Sequence, residues 1–261
     1  MRPELLLRSF AFAFALVLAA CQTTGGGGAN LRKDSAASEK IEAARVHTEL
    51  GQKYMQQGKL EIALDNLNKA LAYDSDYVNA HTVIAVLYER IGDPKQAEEH
   101  YRRAAQIKSK GGNELNNYGA FLCKVGRYDE AAGYFDRAVA DPFYKTPEVA
   151  LTNAGTCLLK GGKRDQAEVV LRKALDRSPD NPEALFQLAS ALYEKGEYFK
   201  ARAFMQRFES VGQARPESLM LGRNIELRLG NGNGASDYTR RLLQSFPESQ
   251  QARALNAQNQ S

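Results

Sequence analysis

The sequence predicts an all-α fold, a solenoid of stacked helical hairpins, and three observations carry that prediction. Six glycines recur along the chain, Gly58, Gly92, Gly126, Gly162, Gly196 and Gly230, separated by 34, 34, 36, 34 and 34 residues. Each is followed five positions later by an alanine: Ala63, Ala97, Ala131, Ala167, Ala201 and Ala235. Between the glycines, apolar residues fall at three- and four-residue steps, as in Leu115, Tyr118 and Leu122 or Leu185, Leu188 and Leu192, which is the spacing of one buried helix face. The glycine takes a tight turn that a residue with a Cβ would strain, and the alanine lets the two helices of a hairpin approach closely. Composition agrees, because 25% charged residues, no Trp and eight Pro in 261 residues suit a soluble helical chain.

The first 20 residues read as an export signal rather than as part of the fold. Arg2 and Arg8 supply a positive start, Phe10 to Ala20 is an apolar run too short to span a bilayer, and Leu18-Ala19-Ala20-Cys21 follows. That tetrapeptide resembles the lipobox of bacterial lipoproteins, which implies diacylation of the Cys21 sulfur and cleavage before it. Several acyl chains anchor stably where one is marginal. Gln22 follows the lipid site where Asp would be the familiar inner-membrane retention signal, so the resemblance points to the outer membrane, with the protein facing the periplasm. Residues 21–38, with Gly25-Gly26-Gly27-Gly28 and few large apolar side chains, read as the lipidated Cys and a flexible tether. Fully extended, it would reach on the order of 55 Å.

Residues 39–250 form the repeat domain, with hairpins starting near Ala44, Val78, Gly112, Glu148, Pro182 and Pro216, and 251–261 read as a C-terminal tail. The 34-residue period resembles the tetratricopeptide repeat, which implies a right-handed superhelix of about six helix-turn-helix units. First helices bury positions four, seven and eleven. Second helices bury the alanine and a large residue four later, Leu67, Tyr101, Phe135, Leu171 and Met205. Small residues follow at Ala70, Ala104, Ala138 and Ala174, and Phe208 breaks that pattern. In the sixth unit Leu221-Gly222 fits only with the first helix shifted by one, so this unit reads as a divergent cap. The two extra residues between the third and fourth glycines fall in Asp141-Pro142-Phe143-Tyr144-Lys145-Thr146-Pro147, where two prolines place the insertion in a connecting loop. Its aromatics either touch a partner or fold back over a widened gap between hairpins.

No enzyme is expected. His47 and His81 occupy position four of their hairpins, where packing explains them, and His100 stands near Glu98 and Glu99 with no HExxH and no second ligand at helical spacing. No metal, cofactor or small-molecule site is read, since neither a serine nucleophile elbow nor a phosphate-cradling loop is present. Net charge of +4 without any block of like charge gives nucleic-acid binding no support. With Cys21 committed to lipid, Cys123 and Cys157 remain as an even pair on neighbouring first helices of an exported chain. They make either a disulfide between the third and fourth hairpins or two buried thiols.

A more specific likeness lies in Asn116-Asn117-Tyr118-Gly119-Ala120-Phe121-Leu122-Cys123, Gly126-Arg127-Tyr128-Asp129-Glu130-Ala131, and Asn153-Ala154-Gly155-Thr156-Cys157, together with Pro142 and Tyr144. This run resembles the type IV pilus biogenesis and stability lipoproteins of the PilF/PilW kind, and the likeness extends over the whole chain. It implies a pilotin, an outer-membrane lipoprotein that helps the pilus secretin to localise or multimerise, with twitching motility depending on it. Rival readings are a lipoprotein scaffold for outer-membrane protein assembly or cell-envelope division, and an enzyme accessory module. On usual repeat geometry, positions two, five, nine, twelve and thirteen of the first helices line the concave side. They give a polar set of Asn79, Thr82, Asn113, Asn116, Lys124, Thr152 and Lys160 and an apolar set of Met55, Val86, Leu159, Phe186 and Tyr193. The apolar members either meet an amphipathic or extended partner or pack between hairpins. Thr48, Thr82 and Val149 stand where a clamp for a C-terminal carboxylate would need basic residues, so that mode is disfavoured.

Overall fold

A computed structural model describes residues 27–108 and 111–258. Cys21, the apolar leader and the first part of the expected tether lie outside the described residues. The chain divides into two compact units, residues 1–40 and 41–261. In the first unit the described residues are helical, and side chains 36–40 are exposed. The helix there, the start of α1 (Gly27–Gln56), begins inside the glycine run and takes in residues expected to be tether. From Ala29 onward the segment is rich in Ala, Lys, Arg and Glu, whose helix propensity suffices without a large apolar face.

The second unit is built of paired helices. After α1 come α2 (Leu60–Tyr73), α3 (Val78–Ile91), α4 (Pro94–Ile107), α5 (Gly112–Lys124), α6 (Tyr128–Val139), α7 (Pro147–Lys160), α8 (Arg164–Arg177), α9 (Pro182–Glu194), α10 (Tyr198–Val211), α11 (Pro216–Arg228) and α12 (Gly232–Ser245). The rhythm of glycines is a rhythm of one turn. All six have φ between 73° and 84°, the left-handed region open to glycine. In each turn the residue after the glycine donates its N–H to a carbonyl five residues back, as Asp93 does to Tyr88 (2.9 Å) and Arg127 to Leu122 (2.9 Å). This bond satisfies a carbonyl that the helix end leaves orphaned. The next helix then starts at once, with Asp93 accepting from the Gln96 N–H and Pro94 filling the first helical position.

Inside a hairpin, the alanine five residues past the turn is buried in every unit. The closest approach is made by a second small residue, on the first helix. A Cβ built on Gly155 would lie 2.4 Å from Leu171 Cγ, and one on Gly222 would lie 2.4 Å from Tyr238 Cε1. Gly51 faces Leu67 and Gly119 faces Phe135 in the same way, always the residue sixteen later. The sixth hairpin obeys this rule too: its first helix is shifted by one, and Tyr238 rather than Thr239 shifts with it.

Between hairpins, the backbones of α5 and α7, of α7 and α9, and of α9 and α11 lie close together, whereas second helices meet through long side chains, as where Tyr238 and Arg241 on α12 bond to Glu209 on α10 (2.9 and 2.8 Å). First helices therefore form the inner layer of the stack and second helices the outer one. The expected tail is largely a further helix, α13 (Gln250–Gln258), whose Ala252 and Leu255 are buried with Leu219, Tyr238 and Leu242. It covers the end of the sixth hairpin, which is thus not the terminal cap. No strand occurs among the described residues, and no helix there is long and apolar enough to cross a membrane.

Candidate partner-binding face

The inner layer brings the expected side chains to one face, but packing divides them. Asn79, Val86, Asn113, Lys124 and Lys160 are exposed, and Thr82, Leu159, Phe186 and Tyr193 are half-buried. Met55, Asn116 and Thr152 are buried and so do not present themselves to a partner. Met55 sits in the cluster of Ala63, Leu67, Val83, Ile84 and Leu87 that joins the first two hairpins. Asn116 accepts from Asn153 Nδ2 (3.0 Å), and Thr152 donates to the Glu148 carbonyl (2.7 Å) while accepting from Asn181 Nδ2 (3.4 Å). These three side chains, at positions five and twelve, border the next first helix, and the polar atoms of Asn116 and Thr152 are spent on the joints. Asn153 and Asn181 complete these joints; the sequence offers Asn153 only as part of the family-like run, and Asn181 not as a site residue. Asn181 before Pro182 carries a cap signal, and its side chain does accept from the Ala184 N–H (3.0 Å).

What remains exposed has two halves. Toward the C-terminus, Leu159, Phe186 and Tyr193 lie over the core cluster of the fourth and fifth hairpins. Phe186 packs on Phe208 (5.8 Å between ring centroids) beneath the Arg215 guanidinium, 4.2 Å from the ring centroid, and Arg215 in turn pairs with Glu183 (2.9 Å). Toward the N-terminus the face is mostly polar, with Asn79, Asn113 and the Lys124–Glu89 pair (3.0 Å), together with the exposed apolar Val86. Thr48 is buried and donates to the Ala44 carbonyl (2.7 Å), Thr82 donates to Val78 (3.1 Å), and Val149 is exposed. These side chains offer no positive charge to a terminal carboxylate.

Cys123 on α5 and Cys157 on α7 are joined in a disulfide, with Cα atoms 5.6 Å apart. It crosses the joint that carries the two-residue insertion. In that loop the two aromatics part company: Tyr144 is buried over Gly112, and Phe143 is 88% exposed. Asp141 holds the loop, accepting from the N–H groups of Gly112 (2.9 Å) and Phe143 (2.9 Å). A cavity of about 890 Å³ opens there, lined by Ile107, Ala140, Pro142, Phe143 and Tyr144 among others. Among the described residues no group of three or more His, Cys, Asp or Glu side chains is placed to hold a metal.

Tetratricopeptide-repeat families match residues 51–92, 78–110 and 158–222. Matching segments, six glycine turns and an inner layer of first helices define a tetratricopeptide-repeat protein. Among its relatives is the type IV pilus assembly protein PilF of Pseudomonas aeruginosa, 31% identical over 247 residues that cover 95% of this chain and 96% of PilF. The crystal structure of PilW, described as a widely conserved type IV pilus biogenesis factor, superposes with a TM-score of 0.75 at 32% identity, covering 81% of this chain and 97% of PilW. The solved structure of Pseudomonas aeruginosa PilF gives 0.73 at 31%, covering 84% and 99%. The chain belongs to the PilF/PilW family.

Proposed function

We propose that this protein acts in type IV pilus biogenesis as a pilotin, a lipoprotein anchored through Cys21 to the outer membrane that binds the pilus secretin and promotes its multimerisation there. The observation that carries the proposal is the full-length likeness to PilF, since a match over 95% of this chain and 96% of the relative spans every repeat rather than one generic hairpin. Secretin subunits cross the periplasm with unpaired strand edges, which are aggregation hazards. A repeat face binds such a segment, and the anchor raises its local concentration where it inserts, an advantage worth about 10² to 10⁴-fold. The half-exposed Leu159, Phe186 and Tyr193 suit an apolar segment of the client, and the disulfide between α5 and α7 keeps the face rigid.

Two measurements test the reading. Replacing Cys21 by Ser behind an ordinary cleavable signal is expected to leave a folded periplasmic protein that still binds secretin, while heat-resistant secretin multimer in outer-membrane fractions and twitching both fall. Normal multimer in that strain rejects the anchored mechanism, and normal multimer in a full deletion rejects the pilotin assignment. Val86→Asp and Phe186→Ala are expected to weaken secretin binding roughly tenfold or more with the helical signal retained. Met55→Asp is the misfolding control, because it places a charge in the core.

A further inference from the structure

The second hairpin holds a pair of side chains that client binding leaves unused. His81 on α3 and His100 on α4 meet with their Nδ1 atoms 3.0 Å apart and ring centroids 5.1 Å apart. His81 Nε2 lies 3.0 Å from the Ser75 carbonyl oxygen, in the loop between α2 and α3. A carbonyl only accepts, so the proton of that bond is on His81 Nε2. In a neutral ring Nδ1 is then bare, and His100 Nδ1–H donates to it. One set of contacts thus assigns both tautomers and ties α4, α3 and the preceding loop together.

A first added proton can go to His100 Nε2 with this bond intact. A second can go only to His81 Nδ1, where it would set two N–H groups head to head and two like charges side by side, with His81 buried. Burial and the neighbouring imidazole hold His100 below the usual imidazole range, and Glu99 on α4 opposes this only in part. The other titratable and charged groups at the seam are Tyr88 on α3, stacked on His100 (5.8 Å), and the Asp76–Arg103 ion pair (2.5 Å) between the loop and α4. No titratable side chain of α2 or α5 bonds to either ring among the described residues. The same pair of positions in the first hairpin holds His47 against Asn66 Oδ1 (3.3 Å), an oxygen that can accept from a protonated ring. In the third to fifth hairpins it holds Leu115 with Tyr134, Leu151 with Val170, and Leu185 with Phe204.

We propose that the His81–His100 pair is an acid-sensitive latch: neutral or singly protonated it closes the second hairpin, and doubly protonated it parts, loosening α4 from α3. An imidazole whose basicity is lowered by folding contributes stability that is complete above the unfolded imidazole range, near about 6.5, and is lost as pH falls through it. The opening belongs to the second hairpin and leaves the disulfide-linked third and fourth hairpins closed.

The test is amide hydrogen exchange on the full chain, corrected for the intrinsic effect of pH, between about pH 7.5 and about pH 5, where imidazoles titrate. Exchange in α3 and α4 is expected to rise by about tenfold per pH unit wherever the open hairpin holds one more proton than the closed one. His100→Asn, which copies the first hairpin, and His81→Leu with His100→Tyr, which copies the third, are expected to abolish the rise. Flat exchange in the wild-type second hairpin, or an equal rise in the variants, overturns the proposal. Nitrogen NMR of the wild-type imidazoles tests it without any substitution: at about pH 7.5 His81 must be the Nε2–H tautomer and His100 the Nδ1–H tautomer, and any other assignment overturns it.

Discussion

Two kinds of glycine act in this stack, a turn glycine in all six hairpins and a packing glycine in four of them, and they fail in different ways. Gly92 has φ 83° with open space around a built Cβ, so Gly92→Ala meets backbone strain alone, costing about 1 kcal/mol. At Gly155 the backbone is helical, but an added Cβ runs into Leu171 at 2.4 Å, so Gly155→Ala forces the hairpin apart at a cost of about 1–3 kcal/mol. Urea unfolding of the two variants is expected to show the larger loss for Gly155→Ala, with partial recovery when Leu171→Ala is added. Equal losses, or no recovery, would mean that the helices adjust their spacing freely. The turn glycines were legible from their period because a positive φ is a local requirement of the chain. The packing glycines were not, since Gly51, Gly119 and Gly155 sit among helix formers and their role depends on a residue sixteen positions away.

Among the elements, α13 has the clearest consequence. A stack of hairpins leaves an apolar surface at its last member, and here Ala252 and Leu255 cover Leu219, Tyr238 and Leu242. Leu255→Asp is expected to raise hydrogen exchange across α11 and α12 and to lower their local stability by about 2–3 kcal/mol, the worth of one buried leucine. Exchange in α5 to α8 is expected to stay unchanged, because coupling in such arrays runs between neighbours. Protection lost evenly along the whole chain would show instead that the hairpins unfold as one unit. The segment 251–261 is short and polar enough in composition to read as a tail. Only the apolar end it meets makes two of its residues core.

For the molecule as a whole, the disulfide stands at the one joint where the period lengthens. Its sequence separation is 34 residues, and closing such a loop in the unfolded chain stabilises the native state by about 3–4 kcal/mol in the chain-entropy model. Replacing Cys123 and Cys157 together by Ser is expected to lower urea-unfolding stability by that amount while the helical signal persists, and an unchanged midpoint would show that the bond adds nothing. Asp141 and Tyr144 stitch the inserted loop back to Gly112 at the same joint, so the clamp and the insertion act on a single contact between the third and fourth hairpins.

The sequence by itself determined the number of hairpins, the place of each turn and the all-α class, and it carried the family likeness that the comparisons bear out. These follow from periodicity and from backbone conformations that few residues tolerate, which are properties of a residue and its near neighbours. Only the tertiary structure decided which inner-layer side chains stay available. Met55, Asn116 and Thr152, at positions twelve and five, were expected on one face with Val86, Asn113 and Lys124, at positions nine, two and thirteen, yet the first three are sealed by the adjoining hairpin. It likewise decided that His81 meets His100 and that the last helix is a cap. Helical spacing places a side chain on its own helix, whereas burial and partners depend on a surface supplied from elsewhere in the chain.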